Sequence, residues 1–328
     1  MSPDDRPADT TDPGTTTTPG DFASRFFADE APQFSVTVGA ASHRGLVREQ
    51  NEDHFAVIQR CRSRRVLITN LPLSDLESAD EVSYGMVVAD GVGGAVFGEL
   101  ASRLAIRTFG EMSARATSWL MRLKDADAQQ VRERIEAYAR AIQQAFVDEA
   151  RRNPETKGMG TTWTSATLLG PDAIIAHVGD SRAYRFRDGA IEQITRDHTL
   201  AQLLKEQGSP EAELPVYRRT LLNYFGGGDS ENVPVEMHDI DLQGGDRLLL
   251  CTDGLTDLCN DDDLAAVLST RSAPQAACDE LVAMALARGG KDNVTVIVAA
   301  IHKNGNEDTV PGDTFLSGET LLKRPTRA

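Results

Sequence analysis

Residues 173–198 read A-I-I-A-H-V-G-D-S-R-A-Y-R-F-R-D-G-A-I-E-Q-I-T-R-D-H. The first six form a short apolar run that stops at Gly179-Asp180. Residues 183–186 and 191–195 are two further short runs, and Asp188-Gly189 stands between them. Asp-Gly readily adopts the left-handed backbone of a tight hairpin turn, so the segment predicts a buried strand, an acidic turn and an antiparallel hairpin. The same grammar repeats outward. Residues 35–40 alternate towards a strand, and 165–169 read as a buried one. Residues 84–89 and 247–251 are apolar strands that each run into an Asp-Gly, and 294–301 closes the series. Between the strand groups lie helices. Leu100, Leu104, Phe109, Met112 and Leu120 share one face, as do Val131, Ile135, Tyr138, Ile142 and Phe146. Residues 261–268 and 274–287 make a second pair, with Pro274 in a first turn and Gly289-Gly290 at a stop. Helices that come in pairs between groups of strands predict antiparallel sheets layered with helices, not a doubly wound parallel sheet.

Composition sets the outer limits. The 328 residues are 40% hydrophobic and 26% charged, an ordinary globular balance with enough apolar material for a sizeable core. A net charge of -16 and only 5% aromatics argue against a nucleic-acid partner, since the chain repels a polyphosphate and lacks stacking platforms. A phosphorylated substrate meets the same repulsion unless bound cations reverse the field locally. Cys61, Cys251, Cys259 and Cys278 contain no C-x-x-C pair, so a zinc ribbon is a poor fit and free, mostly buried thiols are expected. No apolar run approaches the roughly 20 residues of a membrane span, and the N-terminus has no apolar signal core. A cytoplasmic protein is the default expectation. Residues 1–33 and 304–328 are expected to be disordered tails flanking one domain over 34–303.

Acidic residues recur in one setting, at predicted strand ends and beside glycine: Glu52-Asp53, Asp90-Gly91, Gly179-Asp180, Asp253-Gly254 and Asp292-Asn293. A single Asp-Gly is by default a turn. Five such sites brought to one point would repel each other at neutral pH unless cations offset the charge. Oxygen-only donors select hard ions such as Mg²⁺ or Mn²⁺, and two of these can lower the pKa of a shared water and aim it at phosphorus.

Seven segments then occur in order: R-E-Q-N-E-D at 48–53, V-V-A-D-G-V-G-G at 87–94, G-T-T at 160–162, V-G-D-S-R-A-Y at 178–184, T-R-D-H at 195–198, C-T-D-G-L-T-D at 251–257 and G-G-K-D-N-V-T at 289–295. Together they resemble the metal-dependent, type 2C serine/threonine protein phosphatases, particularly the bacterial branch. The resemblance covers roughly residues 35–302. It implies an α+β, four-layer αββα sandwich with two central antiparallel sheets flanked by helix pairs. It implies two Mn²⁺ or Mg²⁺ ions per site, and water attacking phosphoserine or phosphothreonine without a phosphoenzyme. Asp53, Asp90, Asp253 and Asp292 would be metal ligands, Glu52 would act through a water, and the Gly91 carbonyl would complete one shell. Asp180 and Asp257, with Asp253, resemble a third-metal site. Arg48 would grip the phosphate, its planar fork matching two oxygens; the plain alternative is a surface pair with Glu49 or Glu52. Thr162 is either close to the metals or an ordinary strand threonine. The implied partners are phosphorylated proteins in a serine/threonine kinase pathway, with no nucleic acid, no membrane and a monomeric chain.

Three features depart from the pattern. Val92 stands where animal members carry a histidine proposed as the general acid; a metal-bound water is the leading substitute. His54 and His198 are the rivals, each read more simply as a packed or structural residue. Residues 199–233 occupy the place of a mobile flap but read P-V-Y-R-R-T-L-L-N-Y-F-G-G-G-D at 215–229, and the glycines at 226–228 suggest mobility. Residues 60–83 look like an insertion, where Arg60, Arg62, Arg64 and Arg65 make a basic cluster read as solvated or as a docking patch. The competing classes are a catalytically dead relative, disfavoured because every expected carboxylate is present, and a two-metal nuclease, disfavoured by charge. The C-x5-R signature of phosphocysteine enzymes does not occur.

Overall fold

The computed structural model describes residues 34–62, 66–72, 81–92, 97–115, 128–227 and 232–303. The two tails, Arg64, Arg65, Leu120 and Gly228 lie outside the described residues.

Two five-stranded antiparallel sheets carry the fold. The first runs in the order β1 (Phe34–His43), β13 (Val294–Lys303), β12 (Arg247–Cys251), β8 (Arg182–Arg187), β9 (Ala190–Gln193). The second runs β11 (Glu236–Asp241), β7 (Asp172–Val178), β6 (Trp163–Leu169), β3 (Glu81–Ala89), β2 (His54–Arg62). Alternation sorts the side chains. Along β13, Ile297, Ala299 and Ile301 face the second sheet and meet Met86, Val88, Leu168 and Ile175. Val294, Val296 and Val298 face the other way, onto α6 (Asp261–Thr270) and α7 (Pro274–Ala287). The second sheet is covered in turn by α1 (Gly98–Arg115) and α2 (Ala128–Arg152), through Leu104, Ile142 and Phe146 against Val87, Trp163 and Val178. The layers are therefore helix, sheet, sheet, helix, as expected. Strands buried on both faces explain why β12 and β13 read as unbroken apolar runs.

Local chemistry accounts for the boundaries. Asp188 and Gly189 turn the β8–β9 hairpin with φ of 51° and 83°. Asn260 and Asp263 form a reciprocal capping box at the start of α6.

Three expectations need correction. Residues 60–83 are not all insertion: β2 and β3 stay paired from His54↔Ala89 to Arg62↔Glu81, with Arg60 opposite Ser83. Arg60 accordingly leaves the basic cluster; its Nη2 is buried, and its guanidinium lies over Gly85, which offers no side chain in the way. A third small sheet also exists, β10 (Phe225–Gly226), β5 (Gly160–Thr161), β4 (Gly91–Val92). It pins the described glycines of the flap segment. Gly226 N–H donates to Gln143 Oε1 and Gly227 N–H to the Met159 carbonyl. A Cβ on Gly226 would lie 2.2 Å from that carbonyl, at a φ of 87°. Glycine is needed there for close approach, not for freedom.

The rest of the flap segment folds as α3 (Leu200–Glu206), a 3-10 turn at Pro210–Glu213 and α4 (Pro215–Arg218). Thr199 caps α3 by accepting from Gln202 N–H, and it bridges to Leu221, which closes the segment at its base.

Candidate metal centre

The acidic positions all sit at strand ends on one edge of the sandwich. Asp53 precedes β2, Asp90 separates β3 from β4, Asp180 follows β7, Asp253 opens α5 (Asp253–Thr256) after β12, and Asp292 precedes β13. Glu52 and Asp53 are buried, at 8% and 4% exposure. Asp53 is fixed by a threonine: Thr252 Oγ1 donates to its Oδ2 at 2.8 Å. Its other oxygen, Oδ1, has no hydrogen-bond partner, nor do Glu52 Oε1 and Asp253 Oδ1.

Burial and mutual repulsion dominate the electrostatics. Desolvation pushes Asp53 and Asp253 far above the usual carboxylate range; Asp253 and Asp292 add to it at Asp53, and Asp292 and Asp257 add to it at Asp253. Asp90 is raised by burial and then by Asp53, Asp253, Asp180 and Asp292. Asp180 is raised by burial, with Asp253 and Asp257 contributing. Glu52 is raised chiefly by desolvation. Five of the predicted positions thus resist ionisation without a counter-charge.

Backbone crowding brings the carbonyls in. A Cβ on Gly91 would stand 2.1 Å from the Gly98 carbonyl, and one on Gly98 would stand 2.7 Å from the Glu52 carboxyl. The start of α1 is therefore in contact with both Glu52 and Gly91. Ser102 extends this contact by donating to the Glu52 carbonyl at 2.5 Å while facing His54 Nδ1 at 2.9 Å. Thr162 holds Asp90 on both sides: its N–H donates to the Asp90 carbonyl at 2.9 Å, and its Oγ1 accepts the Asp90 N–H at 2.9 Å. It is therefore both a threonine of the strand edge and a support of the site.

Arg48 pairs with Asp292, Nη2 to Oδ2 at 2.7 Å, and not with Glu49 or Glu52. The guanidinium is about half exposed and lies within the field of Glu52 and Asp90. Both histidines are occupied. His198 accepts the Gly179 N–H on Nδ1 at 3.1 Å and faces Glu236 Oε2 through Nε2 at 3.2 Å. Its backbone N–H donates to the Gly179 carbonyl, and its carbonyl accepts from Leu222 N–H. His177 stacks beside it, wholly buried, with burial driving its pKa down to about 4.

Asn293 was not assigned a role by sequence reasoning. Its Oδ1 accepts from Glu52 N–H, and its Nδ2 donates to the carbonyls of Arg44 and Gln50, each at 2.8 Å. One side chain thus ties the loop carrying Arg48 and Glu52 to the strand carrying Asp292. The motif letters N and T beside Asp292 were the available signal.

The donors are oxygens, several buried and partnerless, in a field too negative to stand alone. That chemistry fits hard divalent cations. Among the described residues no three carboxylate, imidazole or thiolate groups already close around one ion-sized point, so the fit lies in donor type and charge rather than in a finished cage.

The protein phosphatase 2C family model matches residues 73–287. The serine/threonine protein phosphatase PstP of Mycobacterium tuberculosis is 31% identical over 264 residues, 80% of this chain and 44% of the relative. The chain thus spans less than half the length of that relative. The serine/threonine phosphatase Stp of Listeria welshimeri is 29% identical over 261 residues, covering 78% of this chain and 92% of the relative. The crystal structure of the M. tuberculosis phosphatase superposes with a TM-score of 0.63 at 30% identity, over 81% of this chain and 99% of that one. The catalytic domain of PstP in complex with two manganese ions gives 0.61 at 29% identity, over 82% and 99%. With its layers, its carboxylate edge and its match over most of the described domain, the chain belongs to the protein phosphatase 2C family.

Proposed function

We propose that this chain is a metal-dependent serine/threonine protein phosphatase that hydrolyses phosphoserine and phosphothreonine in proteins. The observation that carries the reading is the set of buried, partnerless oxygens of Glu52, Asp53 and Asp253 beside the cationic Arg48. The names of the relatives and the two manganese ions of PstP support it.

Asp53, Asp90, Asp253 and Asp292 would hold a pair of Mn²⁺ or Mg²⁺ ions, with the Gly91 carbonyl and Glu52 completing the shell. Asp180, Asp257 and Asp253 would hold a third. When bound, the ions supply Lewis-acid activation of water and neutralise charge on the phosphoryl group. The chain's own groups do the rest. Thr252, Thr162 and Asn293 fix Asp53, Asp90 and the Glu52 loop before substrate arrives, so little reorganisation is left for the reaction. Arg48 is free on its solvent side to take phosphoryl oxygens and orient the ester. His54 and His198 are both engaged by protein partners, which favours a water, held by the ions when they are bound, as the proton source for the departing serine or threonine oxygen.

No helix among the described residues is long and apolar enough to cross a membrane. We place the protein in the cytoplasm, as a monomer acting against a serine/threonine kinase. Turnover of an aryl phosphate and a phosphothreonine peptide with Mn²⁺, and its loss with chelator, tests the activity. Folded protein that shows no metal-dependent turnover overturns it.

A further inference from the structure

A cleft of about 250 Å³ opens beside the carboxylate edge, beneath the flap segment. Asp180, Asp253 and Asp257 form one side of it, while Lys205, Arg218 and Arg219 reach it from α3 and α4 and the residue after it. That is far more than the roughly 10–15 Å³ that one water needs, so the cleft admits an anionic side chain from solvent.

The cations of this region divide into two groups. Arg182 is locked in a two-bond pair with Asp197, at 2.8 and 2.6 Å. Arg218 pairs with Glu213 at 2.6 Å, and Arg196 pairs with Glu206. Lys205 and Arg219 are different. Both line the cleft, yet neither has an ion pair among the described residues. This is unexpected from charge alone, because the chain carries a net charge of -16 and Glu211 and Glu213 lie on the same short segment. A pair of uncommitted cations on the wall of an otherwise acidic cleft offers a place for a negative group that the protein does not itself supply. Their flexible stems and exposure suit them to a ligand arriving from solvent.

We infer that Lys205 and Arg219 form an accessory anion site that binds a second negative group of the substrate, close in sequence to the phosphoresidue being hydrolysed. The chemical class is a phosphopeptide carrying either a neighbouring Asp or Glu or a neighbouring second phosphate. This rests on the phosphatase reading above and names the substrates it favours. Thr199 and Leu221 join the two ends of the segment, so both cations belong to one closed unit rooted next to the Gly179–Asp180 turn.

The test uses the full chain with saturating Mn²⁺ at near-physiological salt. Three peptides share one sequence around a phosphothreonine: one with neutral flanks, one with a neighbouring glutamate and one with a neighbouring second phosphothreonine. The wild type should show a kcat/KM about tenfold higher for either acidic peptide than for the neutral one, carried by KM, the scale of one charge-assisted contact. In Lys205→Ser/Arg219→Ser that ratio should fall to about one, and in Lys205→Glu it should fall below one. A gain from only the carboxylate or only the phosphate also supports the site and identifies which anion it takes. Aryl phosphate turnover and the melting temperature show that each variant is folded. If the double variant does not fold, Lys205→Gln and Arg219→Gln singly serve the same comparison. An equal ratio in wild type and variants, or no preference in the wild type, overturns the accessory site while leaving the phosphatase reading intact. Absence of any turnover, aryl phosphate included, instead removes the phosphatase reading and this inference with it.

Discussion

Arg48 Nη2 lies 2.7 Å from Asp292 Oδ2, so the cation read as a phosphate grip is held over the carboxylate edge by one of its own acids. Both side chains are substantially exposed, and such a pair contributes only about 0–1 kcal/mol to stability. Arg48→Ala should therefore melt within about 2–4 °C of wild type. Its kcat/KM for an aryl phosphate should fall roughly 10–100-fold, mostly through KM, because a charge-assisted contact to the phosphoryl group is lost. Unchanged kinetics would remove Arg48 from the site.

Asp253 is partly buried, and its Oδ1 is fully enclosed without a partner in the field of Asp292 and Asp257. Replacing it by a neutral isostere removes repulsion together with the carboxylate proposed to hold metal. Asp253→Asn should raise the melting temperature of chelator-treated protein, cancel the rise that Mn²⁺ produces in wild type, and abolish turnover. Calorimetry with and without Mn²⁺ checks all three; a lower metal-free melting temperature would contradict the repulsion account.

The same repulsion gives the pH dependence a sign. Asp53, Asp90, Asp180 and Asp253 have folded pKa values raised above their unfolded ones, those of Asp53 and Asp253 to about 7. Between about pH 4 and 7 the folded state holds more protons than the unfolded state, so stability falls as pH rises. His177, lowered to about 4, and His54, also lowered by burial, oppose this below the usual histidine value, but Glu52 is raised too, so five carboxyl groups outweigh two imidazoles. Melting curves in chelator should shift downward across that window, and added Mn²⁺ should flatten the trend. A rising curve in chelator would refute it.

His198 supplies the acceptor for the buried Gly179 N–H, next to Asp180. His198→Ala leaves that donor unpaired, at about 1–3 kcal/mol. The Mn²⁺ concentration for half-maximal activity should rise several-fold, and His198→Asn, which keeps a side-chain acceptor, should recover part of it. Equal metal dependence in both variants and wild type would leave His198 a packing residue only.

Gly91 is required by space. Gly91→Ala places Cβ 2.1 Å from the Gly98 carbonyl, backbone that cannot step aside without moving α1 off Glu52. A loss of about 3 kcal/mol, seen in chemical unfolding, and a weaker response to Mn²⁺ are expected.

The layers were legible because strands of period two and helices of period 3.6 alternate in groups, and because Asp188-Gly189 turns as its composition demands. The carboxylate edge was legible through strand ends beside glycine. Other features have no such signal. The strands of the small sheet are two residues long and show no period, and Asn293 ties together groups 241 to 249 residues away in the chain. The glycines at 226 and 227 illustrate the converse. Composition suggested motion, whereas the neighbours Met159 and Tyr224 leave no room for anything larger.

The first and last strands lie side by side: Phe34 of β1 faces Lys303 of β13, and β13 sits between β1 and β12. Thr252, which anchors Asp53, is 199 residues further along. At a synthesis rate of about 5–20 residues per second, those residues take on the order of 10–40 s to emerge. Asp53 therefore waits that long for its anchor. A chain released before the end of β12 would carry Asp53 and Asp90 without the threonine that fixes the first of them.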